Sequence, residues 1–298
     1  MLSVVDAFPP AAVCSTELLG RQTIALQVAR AAIISLHDEL ILDPKPGLVT
    51  PTSNGSHGDM TAATFMRSLF ALRHYFERIA LAGIDHANFA ELRMLGINAE
   101  RTMMAATGGI NTHRGAIFAL GMLCAATGAA RMQQTDCETV TTDTLRRTLL
   151  QHWGGALRSH VFASSGASYG RHVSAIHAAR GARGQAAAGF PAVFDIGLPR
   201  LHATLAAGGD WASACVDTLF ALMAEVSDTN VVHRGGPQGA GLVRRRALAF
   251  LQAGGSADPD WRQRALQINC EFVRFNLSPG GAADLLAATC LAHRVSVT

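Results

Sequence analysis

Apolar side chains recur at three- and four-residue spacing through most of the chain, and nowhere do they alternate strictly with polar ones for long. That period predicts helices over Ser15–Leu42, Thr61–Ala82, Ala87–Ala105, Ala116–Gly128 and Thr139–Trp153. Further helices are expected at Tyr169–Ala179, Pro191–Ala207, Trp211–Val226, Gly239–Ala253, Asp260–Phe275 and Ala282–Leu291. Ser15 or Thr16 suits the N-cap of the first helix, and Pro44 and Pro46 end it. The stretch HAARGARGQAAAGFP interrupts the helices with Gly181, Gly184 and Gly189. No fixed repeat and no charged linker marks a boundary. The expectation is an all-α fold: a loose arm over residues 1–14, then a single compact multi-helix domain over 15–298 with long functional loops.

Composition supports that reading. The chain has 298 residues, 49% hydrophobic and only 6% aromatic, so small side chains must fill much of the core. A formal charge of +3, with no basic run beyond Arg244–Arg246, gives no reason to expect nucleic acid as a partner. Six cysteines lie scattered without a CxxC pair, as small buried hydrophobes in a reducing compartment. The first twenty residues lack the pattern of a secretory signal. The uncharged run Gly115–Ala130 falls short of the roughly 18 residues a membrane span needs. A cytoplasmic protein that does not enter membranes is expected.

Polar chemistry is concentrated in a few places. Ala106–Gly115, ATGGINTHRG, sets Gly108 and Gly109 before Asn111, Thr112, His113 and Arg114, where a helix begins. Unpaired N–H groups at a helix start and flexible glycines suit an anion such as phosphate. The loop Asp43–Met60 is long for a compact domain, and its polar residues argue for function. It holds Lys45, the only lysine of the chain, between two prolines, where a compact ammonium could meet a phosphate. It also holds His57 and Asp59; the aspartate could cap the next helix or hold Mg²⁺ beside a polyphosphate. On that next helix Arg67 and His74 share a face.

Glu100 has Gly96, Ile97, Met103 and Met104 as its helical neighbours, so its carboxylate lies on an apolar side and needs a partner or a function. Asp228-Thr229-Asn230, with His233 and Arg234-Gly235-Gly236, repeats the logic of the first corner, or is a glycine-punctuated loop after a helix. Ser278-Pro279-Gly280-Gly281 reads as a helix start with Ser278 as N-cap, and Asp284 follows among small residues. GxxxxGK[ST], GxSxG, HExxH and GxGxxG motifs do not occur in a useful context.

In this order the motifs resemble the triphosphoribosyl-dephospho-CoA synthase family. The resemblance rests on Pro44–Val49, Asn54–His57 with Asp59-Met60, Gly96–Met104, Ala106–Gly115, Gly184–Pro191, Asp228–Asn230 and Asn276–Leu286. One departure is Gln185, where the family pattern has an acidic residue. The wording of Phe65–Phe76 and Gly55-Ser56-His57 leans towards the branch that serves malonate decarboxylase over the one that serves citrate lyase.

The resemblance implies a pentosyltransferase. ATP would be attacked at its ribose anomeric carbon by 3′-dephospho-CoA, giving 2′-(5″-triphosphoribosyl)-3′-dephospho-CoA and adenine. That product is the precursor of the prosthetic group of an acyl carrier protein. ATP is then a substrate and Mg²⁺ its companion, and a homodimer is compatible with the pattern. Glu100 is the expected base or cation stabiliser, with Asp59 and His113 beside it as catalytic groups. Lys45, Arg114 and Arg234 are the expected phosphate grips. His57, Arg67, Gly108, Gly109, Asn111 and Thr112 join them in the nucleotide site, as do Asn230, Ser278, Gly280 and Gly281. Asp59, Asp228 and Asp284 are the expected metal ligands. Two rival readings use the same residues: hydrolysis of an ADP-ribosyl or nucleotide N-glycosidic bond, and a non-catalytic nucleotide- or CoA-binding accessory protein.

Overall fold

The helix Arg114–Gln133 (α4) organises the molecule: nearly every residue from Ala116 to Ala130 is buried. In the computed structural model, residues 11–133, 140–165 and 181–297 are described. Within them the chain forms α1 (Ala11–Ile41), α2 (Ala62–Ile84), α3 (Phe89–Thr107), α4, α5 (Thr142–Ser165) and α6 (Gly181–Ala187). A π-helical turn, Ala192–Gly197, leads into α7 (Leu198–Ala206). Then come α8 (Trp211–Glu225), α9 (Thr229–Gln252), α10 (Trp261–Arg274) and α11 (Gly280–Val297). No strand occurs among the described residues, and the all-α expectation holds.

Small residues allow α2 to lie tightly against α4. A Cβ on Gly83 would stand 2.1 Å from the Ala125 carbonyl oxygen, and one on Gly128 would stand 2.4 Å from that of Ala80. Backbones at this separation leave no room for large side chains, which explains how a core so poor in aromatics can still be dense. Helices α1, α2, α5 and α11 all pack on α4, and α8 packs on α11. Among the described residues α4 is the one helix long and apolar enough to cross a membrane, but 78% of its apolar window is buried inside the fold.

Several boundaries move. Helix α1 starts at Ala11, so Ser15 and Thr16 lie inside it and not at its N-terminus; the expected arm is helical from Ala11 on. Gly181–Ala187 forms a short helix where glycines suggested a break. The segment after Asp228 is also helical: α9 comprises two pieces joined at Gly236, whose φ of 60° and ψ of −163° precede Pro237. The proline ring cannot continue the first piece but fits the first turn of the second. Helix α4 outruns its uncharged stretch at both ends, because Arg114 and Arg131 sit at its termini. The expected helix Tyr169–Ala179 lies outside the described residues.

Candidate active site

Three helix N-termini, those of α4, α9 and α11, meet at one cavity of about 780 Å³. Each brings the positive end of a helix dipole to the same space. Its walls also take residues from the loop after α1, from α3 and from α6. Most of the expected site residues line it: His57, Asp59, Glu100, Gly109, Asn111, Thr112, His113, Arg114, Asp228, Asn230, Arg234, Ser278, Gly280, Gly281 and Asp284. Lys45, Arg67 and Gly108 do not.

The corner Ala106–Gly115 ends one helix and starts another. Gly108 closes α3 with φ of 69° and Gly109 follows at 90°; a Cβ on either would meet nothing within 4 Å. Left-handed backbone, which L side chains rarely adopt, accounts for both glycines. Asn111 Oδ1 accepts the Arg114 N–H at 3.2 Å and so serves the first turn of α4. Arg114 Nε lies 3.3 Å from Glu100 Oε2, a half-exposed pair on the cavity wall. His113 is only 2% exposed, and Ser68 Oγ holds its Nδ1 at 2.6 Å. Burial, with the Lys45 charge behind it, pushes its pKa down to about 3, so the imidazole is neutral. Among the described residues, its Nε2 and the Thr112 Oγ1 are buried without a hydrogen-bond partner, although both residues line the cavity. Orphaned polar atoms of this kind are costly and mark a place where a ligand completes the set.

Lys45 is placed differently from the expected phosphate grip. Its Nζ donates to both the carboxylate and the main-chain carbonyl of Glu39, in a pair whose side chains are 1% and 7% exposed. Glu39 itself lines the cavity and had not been singled out from the sequence. The available signal was the one that marked Glu100: Ser35, Leu36 and Leu42, at helical spacing, put Glu39 on the buried face of α1. Arg67 is also elsewhere, exposed on α2 and bonded to Thr64 Oγ1.

Asp228 joins two helix starts. Its Oδ1 accepts the N–H groups of Asn230 and Val231, the first turn of α9, and its Oδ2 accepts that of Ala282 in α11 at 3.1 Å. Burial raises its pKa, and these backbone donors pull it back. Ser278, expected as the α11 cap, instead bonds His57 Nε2 at 2.9 Å. Arg234 lies 3.2 Å from His57 Nδ1 and donates to the Ser56 carbonyl and Asn276 Oδ1, both at 2.9 Å. Burial and this guanidinium lower the His57 pKa, against a smaller opposing pull from Asp59. Asp59 stays exposed because Thr61, with Thr64, caps α2 in its place.

Asp284 accepts the Ala116 N–H at the start of α4. Desolvation, then the carboxylates of Glu39 and Asp228, raise its pKa well above the ordinary range. The three aspartates do not make one metal centre: among the described residues no three His, Cys, Asp or Glu groups converge on such a site. Asp228 is engaged in capping and Asp284 is buried against the start of α4, which leaves Asp59 as the exposed one of the three. Gln185, the expected departure, is buried on the cavity wall and accepts the Ala192 N–H with Oε1 at 3.0 Å. An amide oxygen makes that bond as a carboxylate would. Arg183, on α6, adds a cation to the wall that the sequence reading passed over.

Comparison with known proteins supplies the relationship. The family model described as ATP:dephospho-CoA triphosphoribosyl transferase matches residues 25–298. A relative in Acinetobacter calcoaceticus, named a probable 2-(5″-triphosphoribosyl)-3′-dephosphocoenzyme-A synthase, is 38% identical over 91% of this chain and 91% of its own. A synthase of that name in Pectobacterium atrosepticum is 39% identical over 90% of this chain and 89% of its own. No solved structure matches the chain. With its cavity built from the motifs that carry the likeness, the chain belongs to the ATP:dephospho-CoA triphosphoribosyl transferase family.

Proposed function

We propose that the cavity is where ATP and 3′-dephospho-CoA react to give 2′-(5″-triphosphoribosyl)-3′-dephospho-CoA and adenine. The observation that carries this reading is the pair of orphaned polar atoms, Thr112 Oγ1 and His113 Nε2, in a cavity onto which three helix N-termini open. A triphosphate is an anion that those N-termini can hold without a charge of their own. Arg114, Arg183 and Arg234 stand on the same walls to grip it.

The chemistry requires stabilising positive charge at the sugar carbon and taking a proton from the acceptor hydroxyl. Glu100 suits both, since Arg114 keeps its carboxylate on the cavity wall and the pair remains accessible. Mg²⁺ fits Asp59, an exposed carboxylate not spent on helix capping, because magnesium is content with one or two carboxylates plus phosphate oxygens. Bound there, the ion would neutralise triphosphate charge. The wording of Phe65–Phe76 and Gly55–His57 supports a product destined for the acyl carrier protein of malonate decarboxylase.

The test is to incubate the protein with ATP, Mg²⁺ and dephospho-CoA and to measure free adenine and the adduct mass. Adenine that appears only with the acceptor, together with the adduct, supports the transferase. Free triphosphoribose without an acceptor would indicate a hydrolase, and ATP binding without adenine release an accessory protein.

A further inference from the structure

A second groove, of about 610 Å³, lies between α9 and α10 and shares none of its lining residues with the cavity. Buried Phe250 and Ile268 give it an apolar floor, and the exposed Arg246, Arg264, Arg274 and Phe275 line it further out. Three guanidiniums thus share a trough with one carboxylate, Glu271, whose two oxygens Arg246 holds at 2.5 and 2.8 Å. Arg264 is paired with Asp258 at 2.9 Å. Arg274 has no carboxylate within ion-pair distance among the described residues; its guanidinium lies 5.6 Å from the centre of the Phe275 ring. Phe275 itself is 51% exposed.

The groove ends beside the cavity. Arg234, on the cavity wall, donates to Asn276 Oδ1 at 2.9 Å, and Phe275, one residue earlier, lines the end of the groove. From there the groove follows α10 back to Arg264, along about 16 Å of helix. A cavity of about 780 Å³ suits one drug-sized ligand. The transferase reaction joins two such molecules, and only their sugars have to meet. The 5′-diphosphate and pantetheine arm of dephospho-CoA must therefore leave the cavity. That arm is a chain of amides and apolar carbons attached to two phosphates. An apolar floor beside a guanidinium without a carboxylate complements it.

We propose that this groove binds the diphosphate–pantetheine arm of the acceptor, with Arg274 and Phe275 at the end nearest the cavity. The inference rests on the transferase reading of the cavity. The adenosine of dephospho-CoA stays in the cavity, with its 2′-hydroxyl towards the ribose of ATP. Its 5′-diphosphate passes the Arg234–Asn276 contact and meets Arg274, where no carboxylate competes for the guanidinium. The pantetheine then lies over Phe250 and Ile268. An adenine nucleotide without the arm lacks these contacts, so the groove selects a CoA-type acceptor over simpler nucleotides.

Acceptor-dependent adenine release by the wild-type protein tests the transferase reading, and its absence would refute that reading alone. The groove is tested separately by calorimetric binding of dephospho-CoA, which needs no turnover. Arg274→Gln and Phe275→Ala alter exposed positions, and thermal melts check that both variants are folded. Arg274→Gln should weaken dephospho-CoA binding by about tenfold, the loss of one charge-assisted contact, and Phe275→Ala by about three- to tenfold. In turnover the loss should fall on the KM for dephospho-CoA and spare that for ATP. 4′-Phosphopantetheine, the arm without its nucleoside, should compete with dephospho-CoA and not with ATP. Arg244→Gln removes a neighbouring exposed charge of α9 that does not line the groove, and should bind dephospho-CoA as wild type does. No binding of dephospho-CoA by wild type, or unchanged binding in either groove variant, overturns the assignment. A loss that Arg244→Gln shares in full, or that falls equally on ATP, overturns it too. So does 4′-phosphopantetheine that fails to compete with the acceptor.

Discussion

Lys45 and Glu39 form an ion pair that solvent barely reaches: the ammonium bonds both the carboxylate and the backbone carbonyl of the same residue. The pair ties the loop after α1 back onto the end of that helix, directly behind the cavity. Removing one partner leaves an uncompensated buried charge, which costs about 3–5 kcal/mol. Lys45→Met should therefore lower the midpoint of denaturant unfolding sharply. The double variant Lys45→Met, Glu39→Leu should recover much of the loss. If Lys45→Met melts as wild type but binds ATP more weakly, the ammonium is a substrate ligand after all.

Glu100 and Arg114 form a different kind of pair, with side chains 35% and 54% exposed. Such pairs contribute little to stability, about 0–1 kcal/mol. Glu100→Gln should leave the melting temperature within a few degrees of wild type. If the carboxylate takes the acceptor proton, adenine release should fall by about 10²-fold or more. Normal release from Glu100→Gln would remove it from the mechanism.

Asp228 caps α9 and holds the first turn of α11 with the same carboxylate. Helix caps contribute about 0.5–2 kcal/mol each, so Asp228→Ala should cost roughly 1–4 kcal/mol. Asp228→Asn, which retains one acceptor oxygen, should cost less. Chemical denaturation of the two variants measures the difference, and equal stability would show that the bridge between the helices is unimportant.

His113 gives stability a pH dependence whose sign is determined by its burial. Its folded pKa is depressed to about 3 from the ordinary 6.5, so acid protonates the unfolded chain before the native one. The stabilisation is complete above about pH 6.5 and is lost as the pH falls towards 3. The slope can reach about 1.4 kcal/mol per pH unit. His113→Asn, which can keep the contact to Ser68, should lose less stability than wild type between pH 7 and pH 5. Parallel losses in unfolding experiments at those two pH values would assign the acid sensitivity to other groups.

Gly83 lies where α2 crosses α4, with the Ala125 backbone in the space a Cβ would need. Gly83→Ala gains helix propensity yet must push the two backbones apart. Overpacking of this kind costs about 1–3 kcal/mol. The melting temperature should fall although the substitution favours helix; a rise would mean that the crossing yields easily.

Much of this protein was determined by local sequence. Spacing at 3.6 residues specified the helices, because a buried stripe must recur with the turn of the helix, and the low aromatic content foretold close backbone contacts. The motifs at Asp59, Glu100, Ala106–Gly115, Asp228 and Ser278–Asp284 could be picked out as polar groups in an apolar chain. Their convergence on one cavity was decided only by the packing of α3, α4, α9 and α11. The partners also came from tertiary structure. Lys45 looked free for phosphate until Glu39, six residues earlier, turned the same way, and Asp228 looked free for metal until α11 brought the Ala282 N–H to it. Residue types and spacing state what a side chain can do. Which of those things it does depends on the groups that distant segments place within hydrogen-bond reach, and on how much water they exclude.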